Sequence, residues 1–219
     1  MSKVSGYDYI IFDCDGVLLD SNKMKINAMQ KALSYMSFPE PLMLDALNLF
    51  SMNFGLNRKI HIENICRLLP YKADEKFKNS LENQYVNLVD FLYGNCKKSV
   101  GLINVLHKIS KMKKSMFVAS GAEQTQLRRV IKLQGLSNFF KGVYGAPLPK
   151  KIIVSNIKEK MPKLRGVLIG DSISDFEAAN NNELDFIAVY GLSNVREDLK
   201  QLSKNSQSVM LIKDLRELF

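Results

Sequence analysis

"IIFDCDGVLLDS", residues 10–21, sets three acids, Asp13, Asp15 and Asp20, directly behind an apolar run. A short, near-continuous run of β-branched and aromatic residues reads as a strand buried on both faces, the pattern of a parallel sheet. On extended chain Asp13 and Asp15 stand at i and i+2, so both side chains point to one side while Cys14 points away. Carboxylates this close repel each other unless a cation or a proton lies between them. One can serve as a nucleophile that accepts a covalent group, and the other as an acid that protonates a leaving oxygen. A calcium loop does not fit: Gly16 comes two residues early, and the twelfth position is Met24 rather than a carboxylate.

Working outward, the chain repeats the strand signal at "YDYIIF" (7–12), "SMFVAS" (115–120), "GVYG" (142–145), "GVLIG" (166–170), "DFIAVY" (185–190) and "SVMLI" (208–212). Helix-like stretches lie at 101–112, 123–134, 149–160, 174–181 and 195–203. Alternation of this kind predicts a doubly wound α/β core, a parallel sheet with helices on both faces. Residues 20–94 break the alternation. Their apolar residues recur at helical spacing, as in "MKINAMQKALSYM" and "HIENICRLL", and Pro39, Pro41 and Pro70 divide them into three or four helices. The predicted organisation is a core formed by 1–19 and 95–219, with a helical cap, 20–94, inserted after the first strand.

The bulk numbers fit a globular chain of this size. Of 219 residues, 46% are apolar and 24% charged, enough to bury a sizeable core without disulfides. Cys14, Cys66 and Cys96 are an odd number with no metal-type spacing, and read as reduced thiols of a cytoplasmic protein. The apolar stretch near the N-terminus is too short for an export signal, and no membrane span is expected. The formal net charge of +9 suits a solvated surface or attraction of small anions. Nucleic acid is an unlikely partner, because the basic residues are scattered and no aromatic-basic stripe occurs; "KISKMKK" (108–114) reads as the exposed end of a helix.

In an open parallel sheet, ligands bind beyond the carboxyl ends of the strands, and four such ends carry informative residues. Asp13 and Asp15 follow the first strand. "SGAEQ" follows the second, where Ser120 offers a hydroxyl and Gly121 and Ala122 offer backbone amides leading into a helix; Ser120 with Glu123 also fits a helix-capping box. "YGAPLPKK" (144–151) places Lys150 and Lys151 past a short strand, where a solvated helix start is the competing reading. "LIGDSISDFEAA" (168–179) has Asp171 straight after a strand and Asp175 four later. Ser174 and Glu177 suit a capping box there, and Asp175 suits a first helical turn. Asp171 is better explained as a ligand of Mg²⁺, which is held by one or two carboxylates plus substrate phosphate.

Together these motifs resemble the haloacid dehalogenase (HAD) superfamily of phosphotransferases, in order and spacing and over nearly the whole chain. "DCDGVLLDS" matches the first motif, "SGA" the second, "GAPLPK" the third and "GDSISD" the fourth, and the helical insertion lies where a C1 cap belongs. The resemblance implies that Asp13 attacks the phosphoryl group, and that Asp15 protonates the leaving alcohol and then activates water. It implies that Ser120 and Lys150 hold the phosphoryl oxygens, and that Asp13, Asp171 and the backbone carbonyl of Asp15 bind Mg²⁺, with Asp175 in support. Lys151 remains an alternative to Lys150. An acid at position 15 favours phosphate esters over halides or phosphonates, since only an alkoxide must be protonated as it leaves.

Within the cap, "FGLNRKIHI" (54–62) resembles the loop of β-phosphoglucomutase-like members in which an arginine contacts the substrate's distal phosphate. Arg58 is the candidate there, ahead of Lys59 and His61, and a surface arginine starting a helix is the alternative. His107 reads as structural. The expected activity is a Mg²⁺-dependent phosphatase of a small phosphorylated metabolite, a sugar phosphate or a phosphoglycolate-like ester. The alternatives are a phosphomutase of the β-phosphoglucomutase type and, less favoured, a nucleic-acid end phosphatase or an inactive binding protein.

Overall fold

The computed structural model of the chain describes residues 2–219. Strand β1 (Tyr9–Phe12) occupies the interior of a sheet. β2 (Leu19–Asp20) and β3 (Lys97–Lys98) form a separate antiparallel ribbon, pairing Leu19 with Lys98 and Asp20 with Lys97. The sheet is completed by β4 (Ser115–Glu123), β5 (Gly142–Ala146), β6 (Gly166–Gly170), β7 (Asp185–Val189) and β8 (Val209–Ile212). Its order is β5-β4-β1-β6-β7-β8, with every pairing parallel. From β1 the chain winds outward through β4 to β5, then crosses back to β6 and winds the other way. β1 therefore stands at the switch point, where an open sheet leaves a crevice beyond its strand ends.

The apolar strands are buried on both sides because helices cover both. Ile10 and Phe12 face one layer with α5 (Leu102–Lys111) and α6 (Gln124–Leu133). Tyr9 and Ile11 face the other, with α7 (Lys150–Glu159), α8 (Ile173–Asn180) and α9 (Arg196–Asn205). This is the two-residue alternation of strand side chains read directly from the sequence.

Between β2 and β3 run four helices, which are α1 (Asn22–Tyr35), α2 (Glu40–Met52), α3 (Arg58–Cys66) and α4 (Glu75–Tyr93). Pro39 and Pro41 start α2, where a missing amide proton costs nothing, and Pro70 falls between α3 and α4. The β2–β3 ribbon, which brings the chain's exit and return side by side, was not foreseen: two residues per strand carry no periodic signal.

Boundaries differ from the sequence reading in instructive ways. β4 runs through Ser120 to Glu123, with an irregular register between Ala119 and Glu123, so α6 starts at Gln124 rather than 123. Glu123 itself caps that helix, accepting from the amides of Thr125 and Gln126, which leaves Ser120 free of a capping role. Likewise α8 is capped by Ser172 with Asp175, a reciprocal box, and not by Ser174 with Glu177. The helix begins one residue earlier than the pattern suggested because Ser172 is the first side chain past the strand able to reach back.

Candidate active site

The loop after β1 is tight. The amides of Leu18 and Leu19 both donate to the Cys14 carbonyl at 2.9 Å, and Gly16 donates to the Leu19 carbonyl at 2.8 Å. Gly16 has φ +74°, and a Cβ there would lie 2.0 Å from Asp171 Oδ2. Only glycine permits both that backbone and that approach. The amide of Asp13 donates to the Ile169 carbonyl at 2.9 Å, so the ends of β1 and β6 hold Asp13 and Asp171 together.

Asp13, Asp171 and Asp175 are buried, and each offers an oxygen within 4.8 Å of the others. Lys150 enters the cluster from the start of α7. Its ammonium lies 3.0 Å from Asp13 Oδ1 and 2.5 Å from Asp175 Oδ1. Lys150 is the buried lysine of the pair and sits among these carboxylates, while Lys151 is exposed. Asp175 is nearly saturated, because its Oδ2 accepts from the amides of Asp171 and Ser172 and from the Ser172 hydroxyl. Asp13 Oδ1, by contrast, has no aligned hydrogen-bond donor despite its burial.

Burial, reinforced by Asp175 and Asp15, raises the Asp13 carboxyl to about 7 against the pull of Lys150. Burial and then the charges of Asp13 and Asp175 push Asp171 well above the usual carboxylate range. For Lys150 burial works against the charge, but Asp13 and Asp175 outweigh it and keep the lysine firmly protonated. An under-bonded buried oxygen, hard oxygen donors and mutual repulsion are what a divalent cation relieves, so the residues present fit Mg²⁺. The free donors are Asp13 and Asp171. Asp175 is engaged instead with Lys150, Ser172 and two backbone amides.

Asp15 faces a different set of partners. It accepts from the hydroxyls of Ser21 (2.5 Å) and Tyr93 (2.6 Å), and from the ammonium of Lys25 (2.5 Å). Burial acts to raise its pKa, but Lys25 and these hydrogen bonds prevail and hold it below the ordinary value. Ser120, 1% exposed, lines the same cleft with Gly121 and Ala122, and its hydroxyl accepts from the Ala122 amide at 3.2 Å.

The four-helix insert closes over these groups. A Cβ on Gly121 would lie 2.4 Å from the Gly55 carbonyl oxygen, and one on Gly55 would lie 1.9 Å from Ser174 Oγ. The loop before α3 therefore touches the end of β4 and the first turn of α8. The cleft left beneath it measures about 50 Å³, and Phe50, Phe54, Tyr85 and Val89 form its apolar wall.

Arg58 both begins α3 and lines the cleft, so the two readings of it are compatible. Its guanidinium donates to Gln126 Oε1 at 2.8 Å and lies 3.8 Å from Glu82. Lys59 is exposed, away from the cleft lining. His61 lines the cleft but packs edge-on to Phe50 and Phe54, and burial followed by Lys25 lowers it to about 4. It is thus neutral and no anion-binding cation. His107 is exposed on α5 against the Phe139 ring, remote from the site.

Four site residues escaped the sequence reading, namely Ser21, Asn22, Lys25 and Tyr93. Asn22 donates to Asp171 Oδ2 at 2.8 Å and to the Leu192 carbonyl at 3.0 Å. The available signal was helical spacing directly behind the first motif, which puts residues 22 and 25 on one face of α1.

A family model described as haloacid dehalogenase-like hydrolase matches residues 10–189. No curated protein sequence matches the chain. Among solved structures, it resembles a predicted phosphoglycolate phosphatase from Haemophilus somnus (TM-score 0.80, 14% identity, 98% of this chain and 97% of that one). A predicted phosphatase from Clostridium acetobutylicum is similar over 94% of each chain (TM-score 0.74, 20% identity). So is a β-phosphoglucomutase from Clostridium difficile (TM-score 0.73, 16% identity, 97% and 93% covered). At these identities the likeness speaks for the fold.

Proposed function

Because the chain belongs to the haloacid dehalogenase-like hydrolases, we propose that it is a Mg²⁺-dependent phosphatase of a small phosphorylated metabolite, such as a sugar phosphate or a phosphoglycolate-like ester. The observation that carries this reading is Asp13 itself, a buried carboxylate with an under-bonded oxygen, facing Lys150 and Asp171 at the switch point of the sheet. Asp13 attacks phosphorus as the ester bond breaks, forming an aspartyl phosphate. Asp15, held below the ordinary carboxylate range by Lys25, Ser21 and Tyr93 before substrate binds, takes up the proton that a monoanionic ester carries and passes it to the leaving alkoxide, after which the same partners stabilise its carboxylate. That carboxylate next takes a proton from the water that releases phosphate. Splitting the reaction in two lowers each barrier, and positioned donors supply most of the rest.

Ser120, the amide of Gly121 and Lys150 are the donors to the transferring phosphoryl oxygens, while the Ala122 amide, expected to join them, is taken up by the Ser120 hydroxyl and orients it. Asp13, Asp171 and the main-chain carbonyl of Asp15 would hold Mg²⁺, with Asp175 fixing Lys150 and the loop beside it. When bound, the cation offsets the charge of the phosphoryl group. The helical insert, residues 20–94, excludes water and selects the substrate, with Arg58 directed to its distal part. A cytoplasmic location belongs to the same proposal. No helix among the described residues is long and apolar enough to cross a membrane, and the cysteines are free.

The test is a panel of phosphate monoesters assayed with Mg²⁺ beside Asp13→Asn. We expect turnover of at least one monoester, its loss on chelation of the metal, and a fall of roughly 10³-fold or more in the variant. Failure of every monoester, together with bisphosphate-primed isomerisation of a hexose phosphate, would establish a mutase instead.

A further inference from the structure

Lys25 has no role in the reading above beyond its contact with Asp15, yet it is a charged side chain only 12% exposed on the wall of the cleft. An ammonium has three N–H donors. One is used by Asp15 Oδ2, and the face of the Tyr93 ring, 4.6 Å from the nitrogen, can take a second. No other protein oxygen accepts from this nitrogen among the described residues. A donor left over in a buried position is costly unless something from outside accepts it. The neighbouring wall does not supply it: Phe50, Phe54 and Val89 are apolar, and neither the Tyr85 hydroxyl nor the His61 ring, packed against phenylalanines, hydrogen-bonds to this nitrogen.

We propose that Lys25 is a specificity-determining residue that binds a carboxylate carried by the substrate on the carbon next to the ester oxygen. This rests on the phosphatase reading, because Asp15 marks where the leaving oxygen must lie. The position follows from hydrogen-bond lengths. The leaving oxygen sits one bond from the Asp15 carboxyl, and Lys25 one bond from the same carboxyl, so the ammonium comes within roughly 5–6 Å of that oxygen. A carboxylate on the adjacent carbon bridges that gap, whereas a group several bonds further along the substrate would overshoot it. Arg58 is left for the far end of the molecule.

Two non-hydrolysable probes of matched size test this without requiring turnover. They are 3-phosphonopropionate, which carries the carboxylate, and propylphosphonate, which does not. With Mg²⁺ present, calorimetry on the wild type is expected to give at least about tenfold tighter binding of the carboxylated probe, and Lys25→Gln should reduce the ratio below threefold. Lys25→Arg should restore part of it, and matching melting temperatures for the three proteins show that folding is not the cause. Equal affinities in the wild type, or a ratio unchanged in Lys25→Gln, overturn the inference. Absence of monoester turnover, measured separately, would instead count against the phosphatase, since the probe ratio is read either way.

Discussion

At the residue scale, the site depends on groups that never touch the reacting atoms. Asn22 is the clearest case. Its amide nitrogen bridges Asp171 and the Leu192 carbonyl, and its own carbonyl oxygen is buried without a partner. It therefore fixes the orientation of a carboxylate that burial and like charge would otherwise push aside. Partners of this kind contribute about 10–100-fold to metal affinity. We expect Asn22→Ala to weaken Mg²⁺ binding by about tenfold or more, read by calorimetry, with the melting temperature in the presence of chelator little changed. Unaltered affinity would mean that Asp171 is held by the backbone alone. Gly16 acts from the other side of Asp171 by having no side chain, and both residues belong to one twelve-residue neighbourhood of the first strand. The nucleophile, acid and third carboxylate were legible because acids at apolar strand ends are conspicuous. Asn22 and Lys25 were not, because on a helix a polar residue facing a site looks like any other polar residue until the helix is placed.

At the scale of elements, the same contrast explains what the pattern of residues conveyed about the fold. The apolar strands of the sheet announced themselves because burial on both faces leaves no polar position in them. Helical spacing and prolines likewise marked the insert. Strand ends were less legible, since β4 continues through Ser120, Gly121 and Ala122, polar or small residues that read as a loop. What no spacing conveys is docking. Gly121 packs within van der Waals distance of the backbone at Gly55 and Leu56, so its missing side chain allows the insert to close on the sheet. Its φ lies outside the left-handed region, so alanine costs the backbone little. Because the added methyl would meet the backbone at Gly55 and Leu56, Gly121→Ala is expected to push the insert off the sheet, costing about 1–3 kcal/mol of stability and lowering kcat/KM by tenfold or more. A large loss of stability with unchanged kinetics would refute that account of closure. Arg58 joins the same two bodies through Gln126, which is in turn held by Asp90. Arg58→Ala should raise KM by roughly tenfold for a substrate with a second anionic group and far less for one without; an unchanged KM would make it only a tie between insert and sheet.

At the scale of the whole molecule, the buried ionisable groups set opposing limits on stability as pH changes. His61 titrates near 4 in the folded chain against an ordinary value of 6.5. The unfolded chain therefore binds the extra proton first, and the stability His61 contributes is complete above pH 6.5 and is lost as pH falls toward 4, by up to about 3 kcal/mol. Asp13 has the opposite sign, since its folded value is raised from 3.8 to about 7. The folded chain then holds the proton longer, so its favourable contribution is complete below pH 3.8 and disappears as pH rises through 7. Asp171 is shifted in the same direction. Without a divalent cation the two windows overlap between about pH 4 and 6.5, where their opposite slopes offset each other, and above pH 6.5 only the loss from the carboxylates that fit Mg²⁺ remains. In chelator the melting temperature should therefore be higher at pH 5 than at pH 8. Mg²⁺ should raise the melting temperature by several degrees at pH 8 and hardly at all at pH 5, where protons and cation compete for the same oxygens. Replacing His61 with leucine should remove the offsetting slope, so that stability in chelator falls with rising pH from about pH 4 upward, and should leave the Mg²⁺ effect intact, because the two contributions arise from separate groups. A Mg²⁺ effect of equal size at both pH values would show that the cation binds elsewhere on the surface, and the assignment of Asp13 and Asp171 as its ligands would fall with it.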